Sequence, residues 1–326
     1  MSRRRSPRPR PLGPRDGIDP VSVRVPADPA VTIQGFLRGR FPSAAHEIDR
    51  LIQAGEMVDG DGGPITPSAV CGGGTVWYHR PLPVEPELPQ DLPVLHEDAW
   101  LLAVDKPHGL PTTPRGGFVV QTALSVLRRR RGEDALVPAH RLDRDTAGVL
   151  LLIRDPAVRG AVQRQFQEQT TAKTYQAVVA LGTRALGELP SRRESRIEKH
   201  RGILQAAEVP GPVNAVTEIA PLVEFRDDEG RWAVLGLRPS TGRTHQLRVH
   251  LNALGLPIRR DPLYPRVLPR DPGDVSRPLQ LLARSLTLRH PVTGRELVLR
   301  SRRRLETVPE GILPGQDAPE AGASGR

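Results

Sequence analysis

The sequence predicts an α+β protein: a large unit of strands and helices in mixed order, preceded by a small α/β unit of two short helices and a few strands. Three observations carry this. Short, strongly apolar runs such as residues 149–153 are bounded by glycines, prolines or charges, which suits buried strands. Between them lie stretches with apolar residues at helical spacing and capping residues at their ends. A proline-rich segment, residues 80–93, separates a leading part from the rest, and 326 residues leave room for more than one folded unit.

The elements follow in chain order. Residues 1–17 are rich in arginine and proline and poor in apolar side chains, the composition of a disordered basic arm. A small domain is expected over 18–79. Thr32 reads as the N-cap of a helix carrying Ile33, Phe36, Leu37 and Phe41. Ser43 opens a second helix, with Ile48, Leu51 and Ile52 on one side and Gly55 as its stop. "EMVDG" and "TVWYHR" read as short extended pieces. Residues 80–93 hold five prolines and read as a stiff extended linker.

The second domain is expected over 94–304. "WLLAVDKP" (100–107) reads as a strand, and "QTALSVLRRRRG" (121–132) as a helix ending in four arginines, where cations suit the helix dipole. After the strand "GVLLLI", Asp155 and Pro156 start a helix to about Gln169. "AKTYQAVVAL" (172–181) and "WAVLGLRP" (232–239) are strands. Residues 241–255 read as a helix with Leu247, Leu251 and Leu254 on one side and Gly255 as its stop. "LQLLARSLTLRHP" begins the closing sheet elements, and residues 305–326 have the composition of a disordered tail.

Composition narrows the partners. There are 47 basic against 37 acidic residues, a net charge of +10, which suits a polyanion because each phosphate contact releases counterions. Lysine occurs only at 106, 173 and 199, so the positive charge is nearly all arginine. A base-composition bias would produce the same excess, so charge alone does not decide. Cys71 is the only cysteine, which excludes an internal disulfide and a cysteine-built zinc site. No apolar stretch approaches the ~20 residues that span a bilayer. The basic N-terminus lacks a following apolar segment and is not read as a secretory signal. A cytoplasmic protein is the expectation.

One stretch poses a chemical question. In "HRLDRDTAG" a histidine and four charges, from His140 to Asp145, stand directly before the apolar strand run. Asp143-Arg144-Asp145 is a D-x-D that could hold a divalent metal, though Arg144 would repel the cation. Either aspartate could instead cap a turn and pair with an arginine. A third reading is carboxylate chemistry, with an arginine keeping Asp143 ionised. "VDKPHGLPTTPRG" (104–116) adds a strand end and a turn, and "AKTY" puts Tyr175 on a strand. "RPSTGRTHQLRVHL" places Arg243 and Thr244 at a helix start, which would be a good anion site. His245 and His250 are five apart and do not share a helix face as zinc ligands do.

Four stretches in order, "VDKPHGL", "HRLDRDTAG", "KTYQAVV" and "TGRTHQLRVHLNALGLPIRRDPLY", resemble the RluA-type pseudouridine synthases. "NAVTEI" (214–219) and "LLARSLTLRHPVTG" also fit, and the likeness runs over roughly 94–300. Residues 30–80 resemble the small RNA-binding domain of ribosomal small-subunit protein four, with Glu56 and Asp59 to Asp61 making it unusually acidic. The catalytic half departs from the family pattern at Ala147, where serine is usual. It departs again at "LPTTPRGG", and at Arg259 and Arg260 before an aspartate.

The resemblance implies a mixed, mainly antiparallel catalytic sheet flanked by helices. It implies an isomerase that detaches uracil from ribose, turns it and rejoins it through carbon 5, with no cofactor and no metal. The target base would be flipped out of the RNA. By the same resemblance Asp143 is the essential carboxylate, Arg243 pairs with it, and Tyr175 stacks on the uracil. Arg141 would hold phosphate or fill the gap left by the base. His140, Lys106, Thr244, Gln246 and Arg248 would complete the substrate and RNA contacts, with His140 largely structural. The arginines 128–131 and the arm would add salt-dependent phosphate contacts. The expected partner is RNA, large-subunit ribosomal RNA first with transfer RNA as the alternative, bound by a monomer away from any membrane. The competing reading is a non-catalytic RNA-binding or ribosome-assembly protein on the same fold.

Overall fold

The computed structural model describes residues 10–312, so most of the expected arm and much of the expected tail lie outside the described residues. The chain divides into two units, residues 1–84 with 127–134, and residues 85–126 with 135–326.

The first unit holds β1 (Val21–Arg24), β2 (Ala27–Thr32), α1 (Ile33–Arg40), α2 (Ala45–Gln53), β3 (Met57–Val58), β4 (Val70–Gly72) and β5 (Thr75–Tyr78). Thr32 is the expected N-cap of α1, its hydroxyl accepting from the Gly35 amide at 3.0 Å. Ser43 is not a cap. It sits in a short 3-10 turn, Pro42–Ala44, which runs into α2 with no side-chain cap at all. Leu37, Leu51, Met57, Cys71 and Val76 are buried in one apolar core. The acidic loop has a local cause: the Asp59 carboxylate accepts the amides of Asp61 and Gly63, closing a turn. Arg10 pairs with Asp19 at 2.8 Å, and His79 donates to the Gly13 carbonyl at 2.9 Å, so the end of the expected arm has partners.

The remaining elements are β6 (Val94–Glu97), β7 (Leu101–Lys106), α3 (Ala123–Arg131), β8 (Val137–Pro138), β9 (Ala147–Ile153), α4 (Arg159–Gln167) and β10 (Ala172–Ala180). They continue with β11 (Arg192–Glu198), β12 (Ala207–Val209), β13 (Ala215–Asp227), β14 (Gly230–Pro239), α5 (Gln246–Ala253), β15 (Leu281–Arg289) and β16 (Glu296–Arg300). The strands form one sheet in the order β12-β11-β13-β14-β10-β15-β9-β7-β6, with β16 also on β15 and β8 on β9. Every pairing is antiparallel except β15 with β9, which run parallel through Leu282–Ala147 and Ala283–Gly148. The sheet is mixed and mainly antiparallel, as the resemblance implied.

Register at that seam positions everything else. Leu237 on β14 faces Tyr175 on β10, Tyr175 faces Ala283 on β15, and Ala283 faces Gly148 on β9. One row across four strands therefore aligns Tyr175 with the exits of two loops, 139–146 and 240–245. Gly148 has φ +113, and a Cβ there would stand 2.2 Å from the Ala283 carbonyl oxygen. Only glycine lets these backbones meet so closely. A bulge between Thr174 and Tyr175 adds local twist next to the tyrosine.

Three expectations change. The proline-rich linker is partly docked: Leu88 and Leu92 are buried, and Glu85 accepts the amides of Val119, Val120 and Gln121. The expected tail starts later than 305, because Leu305 is 1% exposed and packs with Phe225 and Leu282. The arginine run is not one solvated patch, since Arg128 is buried and paired with Asp19 at 3.2 Å. Among the described residues no helix is long and apolar enough to cross a membrane.

Candidate active site

A cavity of about 680 Å³ opens at the row of residues just described, lined by both loops, the end of α4, Tyr175 and the start of α5. This volume lies within the ~300–1,000 Å³ usual for ligand sites. Asp143, Tyr175 and Arg243 all line it, so the three residues the sequence singled out converge. His140, Arg141, Gln246 and Arg248 line it too; Lys106 and Thr244 do not. Among the described residues of the lining Asp143 is the only carboxylate, against four cations: Arg141, Lys173, Arg243 and Arg248.

The Asp143 loop is held from several sides. Thr112 accepts the Leu142 amide at 3.1 Å and donates to the Leu142 carbonyl at 2.7 Å, clamping the residue before Asp143. The Thr146 amide closes a turn onto the Asp143 carbonyl. Asp145 is engaged by Arg270 at 2.7 Å, and Arg144 donates to Gly109 O with its guanidinium 4.4 Å from the Phe118 ring centroid. Asp145 is absent from the cavity lining, so the two carboxylates of the D-x-D do not meet on a shared ligand. Among the described residues no group of three or more His, Cys, Asp or Glu could hold a metal ion.

The guanidinium facing Asp143 is a correction. Arg243 is exposed, and its Nε donates to the Asn214 carbonyl at 3.1 Å. The ion partner of Asp143 is Arg248, with Nη1 3.8 Å from Oδ2. At that separation attraction runs from about 1 kcal/mol in bulk water to about 4 at an effective dielectric near 20. Arg248 is fixed by Asp261, which it grips through Nε at 2.8 Å and Nη2 at 2.6 Å. Asp261 also accepts the amides of Leu263 and Tyr264, and its side chain is fully buried. This bidentate pair leaves Nη1 to point at Asp143. The sequence held Asp261 in plain view, in "RRDPLY", without a signal that it would serve an arginine thirteen residues earlier. Thr112 carried no signal at all.

The helix start differs as well. α5 begins at Gln246, not 241, because His245 adopts a left-handed backbone with φ 55. The Gln246 amide oxygen accepts from Thr241 Oγ1 and the Arg243 amide, and its nitrogen donates to Val216 O and Thr217 Oγ1. All four hydrogen-bonding positions of Gln246 are used, so it orders the loop rather than binding RNA. Arg243 and Thr244 therefore precede the helix instead of opening it, and the Arg243 amide is already taken. Lys106 is likewise internal. Its Nζ donates to the carbonyls of Pro107, Leu110 and Arg144, stitching two turns together. Burial pushes Lys106 down to about 7, while the Asp145 and Asp143 carboxylates pull it back up. Three carbonyl acceptors match the three donors of the ammonium form.

Tyr175 is shifted upward by burial and, secondarily, by the charge on Asp143, so its phenol stays protonated. His140 accepts the Leu151 amide through Nε2 and stacks on Phe166 at 5.4 Å. It is a half-buried acceptor that shapes the wall. Burial lowers His140, His108 and His250 each to about 4, from 6.5. Between those values the unfolded chain binds protons the folded one refuses. Stability is therefore complete above about pH 6.5 and lost as pH falls toward 4, by up to about 3 kcal/mol per histidine. Urea midpoints at pH 7.5, 5.5 and 4.5 should fall in that order; a flat profile would mean these rings are not held neutral.

Residues 100–253 match the family model described as RNA pseudouridylate synthase. An uncharacterized RNA pseudouridine synthase of Synechocystis is 36% identical over 64% of this chain and 70% of its own length. The ribosomal large subunit pseudouridine synthase D of Xanthomonas campestris is 34% identical over 63% of this chain and 65% of its own. The structure of human RNA pseudouridylate synthase domain containing 1 superposes with a TM-score of 0.53 at 23% identity. It covers 68% of this chain and 86% of that one, a likeness of fold.

Proposed function

The chain belongs to the RluA-type pseudouridine synthases, enzymes that isomerise uridine in structured RNA, and from that premise we propose that it acts on large-subunit ribosomal RNA with Asp143 as its essential carboxylate. The observation that carries the second half is the lining of one cavity: a single carboxylate, faced by Arg248, beside the Tyr175 ring. A uridine flipped into this space stacks on Tyr175, which is worth about 1–3 kcal/mol and offsets part of the unstacking cost. Asp143 then stands against the nucleoside, and Arg248, with Nη1 3.8 Å from Oδ2, keeps the carboxylate aimed. The protonated Tyr175 hydroxyl is left as a hydrogen-bond donor beside the base. Arg141 and Arg243, both exposed at the cavity, meet backbone phosphate.

The ribosomal assignment rests on the name of the Xanthomonas relative and on the cationic rim. Tritium release from 5-tritiated uridine tests it, using unmodified transcripts of large-subunit ribosomal RNA and of transfer RNA in parallel. Release from the ribosomal transcript is expected. Release from transfer RNA alone overturns the substrate, and release from neither favours a non-catalytic RNA-binding protein.

A further inference from the structure

Buried and half-buried cations in this protein have partners almost everywhere. Arg248 has Asp261, Arg270 has Asp145, Arg259 has Asp227 and Glu229, and Lys106 has three carbonyls. Lys173 is the departure. It lines the active-site cavity half-buried, and among the described residues it makes no ion pair and no side-chain hydrogen bond. Its Nζ lies 6.0 Å from the Phe166 ring centroid, and its charge also bears on the His140 ring. Burial pushes the ammonium down, and no nearby carboxylate restores it. A cation held this way is unfavourable unless an anion arrives with the substrate.

Its position says where that anion would be. Lys173 and Tyr175 are two apart on β10, so they share a face, roughly 7 Å from each other along the strand. A base stacked on Tyr175 carries its backbone phosphate at about that remove. The end of α4 overhangs the same spot with Gln167 and Gln169, the latter in a left-handed backbone at φ 56. Gln165 fastens this overhang to β15, donating to the Arg289 carbonyl and accepting its amide, each at 2.9 Å.

We propose that Lys173, with the Gln167 and Gln169 amides beside it, forms a subsite that grips an RNA phosphate next to the flipped uridine. The subsite deepens the reading above, since it takes the uridine to sit on Tyr175. The competing role for Lys173 is internal: a cation near the C-terminal end of α4 and the face of Phe166.

Binding of a short fluorescent oligouridine, measured across salt concentrations, separates the two. The full-length protein carries Asp143→Asn throughout so that the oligomer is not turned over. Lys173→Met is expected to weaken binding about tenfold and to flatten the slope of log affinity against log salt by about 0.7, one single-strand phosphate contact. Lys173→Gln should reproduce the flattening and Lys173→Arg should restore the slope, which guards against a misfolded variant. Tyr175→Ala should weaken binding with its slope intact, because stacking releases no counterions. An unchanged slope in both neutral Lys173 variants overturns the subsite. If Tyr175→Ala binds like its parent, the uridine site is elsewhere, a separate failure that the Lys173 slopes do not share.

Discussion

Replacing Asp143 with asparagine is expected to lower pseudouridine formation by about 10⁴-fold or more, while affinity for RNA stays within a few-fold. The change conserves shape and removes one charge, so the Thr146 turn and the Thr112 clamp on Leu142 survive. Arg248 keeps its buried partner Asp261 and has no reason to move. What disappears is the one carboxylate among the described residues of the lining, and its neighbours do not replace it: His140 has its acceptor nitrogen on the Leu151 amide, and Asp145 is held outside by Arg270. Affinity should hold because the substrate is a polyanion and the variant carries one fewer negative charge at the site. The measurement is single-turnover tritium release beside equilibrium binding of the same transcript. Activity within tenfold of wild type would remove Asp143 from the chemistry. A parallel collapse of binding would instead make it a folding or recognition residue.

The sequence carried the strands better than their neighbours. β7, β9, β10 and β14 were readable because each is an apolar run closed by charge, glycine or proline. Their order was not, since β9 meets β15 through a two-residue parallel contact between positions 147–148 and 282–283, and no local pattern encodes that pairing. The same limit explains the site. "HRLDRDTAG" marked Asp143 because a charged loop before a buried strand is chemically odd. Two arginines five positions apart in "GRTHQLR" are chemically alike on paper. The choice between Arg243 and Arg248 depends on the left-handed turn at His245 and on where Asp261 returns, both tertiary facts. The expected helix from 241 failed for a related reason. Gln246 captures Thr241 Oγ1 and the Arg243 amide, so its side chain organises a loop where periodicity alone would continue a helix.

Asp261→Ala should unfold more easily by about 3–5 kcal/mol, because it strands a buried guanidinium. At about 2–4 °C per kcal/mol for a unit of this size, the thermal midpoint falls by roughly 6–20 °C. The Leu263 and Tyr264 amides lose their acceptor in the same step. Below the new midpoint the variant should still turn over slowly, by about 10²-fold, since Arg248 is free to leave its bearing on Asp143. Stability and catalysis then separate in the double variant Arg248→Met with Asp261→Leu. Removing both charges should recover the part of the stability lost to the stranded guanidinium, since an apolar pair often matches a buried ion pair, while the Leu263 and Tyr264 amides stay without their acceptor. Activity should not return with it, because Nη1 beside Asp143 is gone. Recovery of both together would mean that the pair serves packing alone. Wild-type turnover in folded Asp261→Ala would mean that Arg248 finds its aim without Asp261. Either result would break the chain from Asp261 through Arg248 to Asp143.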